Sequence, residues 1–327
     1  MKEILITGGA GFIGYHLAKK LSLKKNNNIT IIDNFESGKN DKFFRDLITK
    51  ENVNFVKLNL INLGDMKKRV WKYYDNVYHL AAIVGVKNCM EFPSKALEVN
   101  IKSTFNVEQL MRENRCRKIV FASSCEVYAS GYQLGIVPIP TNEEVPVSIK
   151  DVFNPRWSYA VSKLFGEQLF IFNSSNLYDY SIVRYHNIFG PRQDFSHAIP
   201  EIIRRILLKE SPLKAYGYNQ ARSFCFIEDA IIQTISVMEN DSTNGEILNI
   251  GNDIEELKII DLYHKILKIM KYNIKLELIQ APRGSVNRRS PNLEKIKKLT
   301  EFHPLMDSEE ALEKTINWYV ENRDELN

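Results

Sequence analysis

The stretch Thr7-Gly8-Gly9-Ala10-Gly11-Phe12-Ile13-Gly14 decides the fold. It satisfies GxGxxG through Gly9, Gly11 and Gly14, and the wider GxxGxxG through Gly8, Gly11 and Gly14. A strand-like run, Ile4-Leu5-Ile6, precedes it, and a helix is expected from about Phe12 to Leu23. A Cβ on these glycines would block the tight turn and hold a pyrophosphate away from the helix N-terminal amides. A glycine triad alone is weak; the strand before it and the helix after it make this a dinucleotide-binding turn. The next run, Ile29-Thr30-Ile31-Ile32, ends in Asp33. A carboxylate there binds both adenosine ribose hydroxyls and repels a 2′-phosphate, so NAD is expected rather than NADP. Asn59, after the third run, reads equally as an adenine contact or as an ordinary turn asparagine.

Working outward, further apolar runs occur at Val53–Val56, Val77–Leu80, Ile119–Ala122 and Tyr180–Val183, each separated by helix-length amphipathic sequence. That alternation predicts an α/β fold, a doubly wound parallel sheet of Rossmann type, buried on both faces. Lys24-Lys25-Asn26-Asn27-Asn28 reads as a polar turn. The alternation breaks after about Arg184. A dinucleotide-binding domain is therefore expected over 1–185, and a smaller substrate-binding lobe over 186–327 with some segments returning to the sheet. Helices are expected there at Pro200–Lys209, Leu293–Leu299 and Ser308–Tyr319.

Composition excludes other classes. The 327 residues carry 44 Lys+Arg and 40 Asp+Glu, a net charge of +4, too small to imply nucleic-acid binding. No apolar run approaches the ~18–20 residues of a membrane span, and Met1 leads straight into a strand, so neither membrane nor signal peptide is expected. Cys89, Cys116, Cys125 and Cys225 have no CxxC spacing, which argues against disulfides and metal. A cytoplasmic globular enzyme is expected.

Two segments carry chemistry. Ser123-Ser124-Cys125-Glu126-Val127-Tyr128 follows a strand, and Tyr159-Ala160-Val161-Ser162-Lys163 lies in a helical stretch. The i, i+4 spacing puts Tyr159 and Lys163 on one helix face. An ammonium beside a phenol lowers its pKa from ~10 toward that of a usable base. With a serine hydroxyl sharing the substrate hydrogen bond, this is equipment for removing a hydroxyl proton while hydride leaves for nicotinamide. A catalytically silent NAD-binding regulator is the rival class, and the intact Ser124, Tyr159 and Lys163 argue against it.

These segments together resemble the extended short-chain dehydrogenase/reductases that modify nucleotide sugars. Further matches are Asp33-Asn34, His79-Leu80-Ala81-Ala82, Asn187-Ile188-Phe189-Gly190-Pro191-Arg192 and Arg222-Ser223-Phe224, so the likeness covers nearly the whole chain. The resemblance implies cofactor contacts from Gly8, Gly11, Phe12, Ile13, Gly14, Asp33, Asn34, Asn59, Leu60, Leu80, Ala81, Ala82, Tyr159 and Lys163. It implies Ser124, Tyr159 and Lys163 as the catalytic trio. It also implies a nucleoside-diphosphate sugar, a UDP-sugar by preference, met by Val84, Ser124, Cys125, Glu126, Arg156, Tyr159, Asn187, Arg192, Arg222 and Arg289. Each arginine alone reads also as a solvated surface charge, yet guanidinium suits diphosphate oxygens.

Oxidation at sugar C4 leaves three outcomes: re-reduction from the other face, loss of water across C5 and C6, or loss of carbon dioxide from a C6 carboxylate. A 4,6-dehydratase of this family carries Asp-Glu after the serine, whereas this chain has Cys125-Glu126. A thiol of pKa ~8.5 is a poor proton donor to a leaving hydroxyl. Ser-Cys-Glu-Val-Tyr, Pro155-Arg156-Trp157-Ser158-Tyr159 and Arg289-Ser290-Pro291-Asn292 resemble the UDP-glucuronate decarboxylase and UDP-apiose/UDP-xylose synthase branch, where Arg289 and Glu126 would join the catalytic set. Glu126 also reads as a partner for sugar hydroxyls. Val84 stands where apiose synthases keep a second cysteine. The expected reaction is decarboxylation of a UDP-hexuronate, with 4-epimerisation next and 4,6-dehydration after it. Apolar residues of the helix after Tyr159 exceed a single stripe. Relatives pair this helix and the one near Ala96–Met111 across a two-fold axis, so a homodimer is expected.

Overall fold

Ile4 and Ile6 point to one side of the first strand and Leu5 to the other, and both sides are buried. That two-sided burial marks an inner strand of a parallel sheet covered by helices on both faces. The structure, a computed structural model, describes residues 1–174, 176–281, 285–302 and 306–323. The first half runs β1 (Lys2–Thr7), α1 (Phe12–Leu21), β2 (Asn27–Asp33), α2 (Lys42–Ile48), β3 (Val53–Lys57), α3 (Leu63–Arg69), β4 (Asn76–His79), α4 (Val86–Glu91) and α5 (Pro93–Glu113). It continues with β5 (Lys118–Ser124), α6 (Ala129–Leu134), α7 (Ser158–Asn173) and β6 (Asp179–Tyr185). Beyond these come β7 (Ile188–Phe189), α8 (Ala198–Leu207), β8 (Leu213–Tyr216), β9 (Ala221–Arg222), β10 (Cys225–Phe226), α9 (Ile227–Glu239) and β11 (Ile247–Ile250). The chain closes with β12 (Leu257–Lys258), α10 (Ile259–Ile269), β13 (Leu276–Ile279), β14 (Arg288–Arg289), α11 (Glu294–Thr300) and α12 (Ser308–Glu321).

The main sheet has seven strands in the order β11-β6-β5-β4-β1-β2-β3, all parallel. This is a Rossmann fold. The chain leaves β1 toward β3 and then returns to β4 on the other side. The reversal opens a crevice above the carboxyl ends of the strands, where ligands of such sheets bind. Register brings Thr7, Asp33, His79, Ser124 and Tyr185 to that edge. One face is packed by α1 and α9 through Leu17, Ala18, Ile231 and Val237, the other by α5 and α7 through Val107, Leu110 and Phe170.

The helix after the glycine turn ends at Leu21, two residues short of the expected Leu23, and β2 starts inside the polar tract. Asn27 explains the second difference. Its buried side-chain amide donates to the Leu21 carbonyl at 2.9 Å, and its N–H donates to the Lys24 carbonyl at 3.0 Å. β11 and α9 come from beyond residue 186 and complete the main sheet, whereas β8 pairs with β13 and β9 lies between β12 and β14 in the smaller part. Pairing of Arg289 with Arg222 in that small sheet carries Arg289 to the crevice. Among the described residues no helix is long and apolar enough to cross a membrane.

Candidate active site

A cavity of about 680 Å³ occupies the crevice. Its floor at one end is the glycine turn. Gly8 has φ +72°, and a Cβ there would lie 2.8 Å from the Ala81 backbone. On Gly14 a Cβ would lie 2.2 Å from the Gly8 carbonyl oxygen, so α1 approaches β1 this closely only with glycine. Gly11 is the N-cap of α1 and gives no side-chain cap. The first amides of α1 therefore stay available to an anion in the cavity, where Phe12 and Ile13 lie.

Asp33 sits at the tip of β2. Its carboxylate accepts the N–H groups of Ala10 (3.0 Å) and Phe35 (2.7 Å). Burial pushes its pKa up, and those N–H groups hold part of the rise back. The side chain faces the cavity with acceptor capacity left for ribose hydroxyls. Ile32, Leu58 and Leu60 form an apolar wall beside it, and Asn34, Asn59, Leu80, Ala81 and Ala82 line the same end. Asn59 holds an ordinary turn, accepting the Ile61 N–H at 3.2 Å, while its side chain lies on the cavity rim. A glycine cradle, free helix amides, an acid and an apolar slot fit a dinucleotide without a 2′-phosphate.

The other end holds Ser124, Cys125, Glu126, Arg156, Tyr159, Lys163 and Arg289 together, from three separate chain segments. Ser124 ends β5 and caps a single 3₁₀ turn, its Oγ accepting the Glu126 N–H at 3.2 Å. Tyr159 shares a hydrogen bond with Ser124, yet burial dominates and pushes its phenol above the ordinary value. This corrects the expectation that Lys163 lowers it. Burial pulls Lys163 itself down to about 7, with Glu167 resisting. Its Nζ donates to the Ala122 carbonyl at 2.6 Å and stands 5.6 Å from the centre of the Tyr159 ring.

Glu126 is held by two arginines. Arg289 Nη1 donates to its Oε1 at 2.8 Å, and Arg156 Nη2 lies 3.6 Å from its Oε2. Burial opposes ionisation of Glu126, but the pull of Arg289 and then Arg156 outweighs it, and its carboxyl lies below the usual range. Arg289 Nη1 also donates to Cys125 Sγ at 3.2 Å. Burial pushes that thiol up despite Arg289, so Cys125 is a protonated side chain in the wall. Asn187 and Val84 line the cavity too, Asn187 with its amide donating to the Ser223 carbonyl at 2.9 Å.

Two arginines expected around the diphosphate and sugar, Arg192 and Arg222, are not in the cavity lining. Arg192 is buried behind the glycine turn, bound to Asp41 at 2.7 Å and donating to the carbonyls of Ala10 (3.1 Å), Gly11 (3.3 Å) and Lys39 (2.9 Å). In a trans peptide the N–H opposes the C=O. By holding the Gly11 carbonyl behind the turn, Arg192 keeps the Phe12 N–H directed to the opposite side. Arg222 is likewise outside the cavity wall, donating to the carbonyls of Ala221, Val286 and Asn287 and to Gln220 Oε1. Burial and then Arg289 pull it down to about 10.

Several wall residues escaped the sequence reading. Gln193, Asp194, Ser196 and His197 line the cavity mouth from an irregular loop that carries no periodic signal. Behind Ser124, Glu167 receives a bond from Ser123 and a bidentate pair from Arg184 at 2.9 and 2.6 Å. A signal for Glu167 was available, since it follows Lys163 by four residues on α7.

The family described as NAD dependent epimerase/dehydratase matches residues 4–251. The chain belongs to that family. It is 35% identical to a UDP-N-acetyl-α-D-glucosaminuronate decarboxylase of Bacillus cytotoxicus, over 98% of both chains. It is 30% identical to a UDP-glucuronate 4-epimerase of Thermodesulfobacterium geofontis, over 98% of this chain and 97% of the other. Among solved structures, a UDP-glucuronic acid 4-epimerase of Bacillus cereus in complex with UDP-glucuronic acid and NAD superposes with a TM-score of 0.86 at 26% identity, covering 98% of this chain and 99% of that one. The protein is thus an NAD-dependent enzyme of the nucleotide-sugar epimerase, decarboxylase and dehydratase class.

Proposed function

We propose that this enzyme decarboxylates a UDP-hexuronate through a transient C4 ketone. The observation that carries the reading is the ionised Glu126, paired with Arg289 beside Ser124 and Tyr159. A 4,6-dehydratase needs a neutral acid facing the leaving hydroxyl, and here Cys125 and an ionised Glu126 stand in that place. Decarboxylation needs no such acid. A carboxylate on C5 next to a C4 ketone is a β-keto acid, whose C5–C6 bond breaks to release carbon dioxide and leave the electron pair in an enolate.

The glycine turn and Asp33 would hold NAD, which when bound would supply the hydride acceptor at C4 and afterwards the hydride donor. Tyr159 accepts the C4 hydroxyl proton, with Ser124 sharing that hydrogen bond and Lys163 standing beside the ring from the same helix face. After carbon dioxide leaves, C5 takes a solvent proton from the side of Glu126 and Arg289. Tyr159 then gives its proton to the C4 oxygen as the ketone is reduced. The similarity to a decarboxylase of an N-acetylated hexuronate supports this reading and makes a 2-acetamido sugar one candidate. Epimerisation at C4 is the second reading, supported by the similarity to UDP-glucuronate 4-epimerases.

Product masses test the choice. With NAD and UDP-glucuronate or its 2-acetamido analogue, loss of carbon dioxide is expected; an unchanged mass with inverted C4 replaces the reading with epimerisation. We further propose a cytoplasmic homodimer through α5 and α7. These helices pack together, and Phe105 and Val161 are exposed on them. The four cysteines are free and buried, which suits a reducing compartment.

A further inference from the structure

Glu126 brings Arg289 and Arg156 to the reacting end of the cavity, beside Ser124 and Tyr159 rather than beside the glycine turn. Each guanidinium keeps a buried Nε–H with no acceptor. An orphaned buried donor is costly, more so when charged, so Glu126 leaves both guanidiniums incompletely paired. Charge says the same. Two guanidiniums, of Arg289 and Arg156, face the single carboxylate of Glu126, so positive charge is left over. Glu126 reaches Arg156 only at 3.6 Å, a loose pairing that leaves this arginine the less committed of the two. Planar guanidinium suits a carboxylate, which it binds through two parallel N–H groups.

We propose that Arg156 selects the substrate's C6 carboxylate, and that Glu126 is a resident anion that competes for Arg156 until the substrate displaces it. The inference rests on the hexuronate reading and goes further: it assigns substrate choice to Arg156. A sugar with a neutral C6, or with none, leaves Arg156 on Glu126 and forgoes the charge-assisted bonds.

The test is equilibrium binding to the NAD-loaded enzyme in a Tyr159→Phe background, which prevents turnover. The probes are UDP, UDP-xylose, UDP-glucose and UDP-glucuronate. UDP-glucuronate is expected to bind about tenfold or more tightly than UDP-xylose. Arg156→Gln is expected to erase that preference while UDP and UDP-xylose bind as before. Arg156→Lys, which keeps the charge and most of the packing, is expected to retain part of it. Glu126→Gln is expected to tighten UDP-glucuronate about threefold, since the competitor is gone. Equal loss for all four probes in Arg156→Gln would mean the arginine holds the diphosphate and would overturn the inference. So would a parent enzyme with no preference for the carboxylate, or a Glu126→Gln variant that loses UDP-glucuronate as Arg156→Gln does. Failure of the reaction reading is separate: selective loss in Arg156→Gln, with an epimerised product from the wild type, keeps carboxylate selection and discards decarboxylation.

Discussion

The two ends of the cavity use arginine in opposite ways. At the glycine turn, Arg192 lies behind the wall with its guanidinium bound to Asp41 and to three backbone carbonyls. At the reacting end, Arg156 and Arg289 lie in the wall, and each keeps an N–H without an acceptor. The first arrangement aims backbone amides at an anion and leaves no guanidinium for it; the second presents guanidinium itself. A motif arginine thus serves an anion site directly or at one remove, and the difference is whether carbonyls already occupy its donors.

The largest effect that can break this contrast is at the reacting end. Tyr159→Phe removes the acid–base group and is expected to lower turnover about a thousandfold or more, with NAD titrating as in the wild type. Turnover within tenfold of the wild type ends the assignment of Tyr159. At the other end, Arg192→Met strips a buried pair and leaves Asp41 uncompensated, a change expected to cost about 3 kcal/mol in denaturant unfolding. NAD should bind more weakly, and the preference for UDP-glucuronate over UDP-xylose should stay. A changed sugar preference would place Arg192 among the substrate contacts after all.

The smallest effect concerns Lys163. Its folded pKa of about 7 lies below the ordinary 10.5, so between these values the unfolded chain holds a proton that the folded one lacks. Stability from this group therefore rises with pH across that window and is lost as pH falls toward 7. The unfolding free energy of the wild type relative to Lys163→Met is expected to grow between pH 7 and 9 by of order 1 kcal/mol per unit. A flat difference would show that Lys163 keeps its proton in the folded state, its charge compensated by a partner.

Legibility followed distance along the chain. Gly8, Gly11, Gly14 and Asp33 could be read because one turn and the strand beside it make the whole cradle, and backbone sterics demand glycine there. Ser124 and the Tyr159–Lys163 pair were legible as a strand end and a helix spacing. The pairing of Glu126 with Arg289 was not, because β14 reaches the cavity through a small sheet of two-residue strands, too short to carry any periodic signal. Arg192 and Arg222 are not in the cavity lining: their identity suggested an anion, while their donors went to protein acceptors, Asp41 and backbone carbonyls for Arg192, Gln220 and backbone carbonyls for Arg222.

What the amino-acid sequence determined by itself is the architecture and the dinucleotide end, since alternating apolar runs and glycines act through local sterics and burial. The tertiary structure alone decided the electrostatics of the reacting end. Charges of residues 126, 156, 222 and 289 act through space and burial rather than along the chain, and only packing sets which arginine meets a carbonyl, which meets Glu126 and which keeps a donor unpaired.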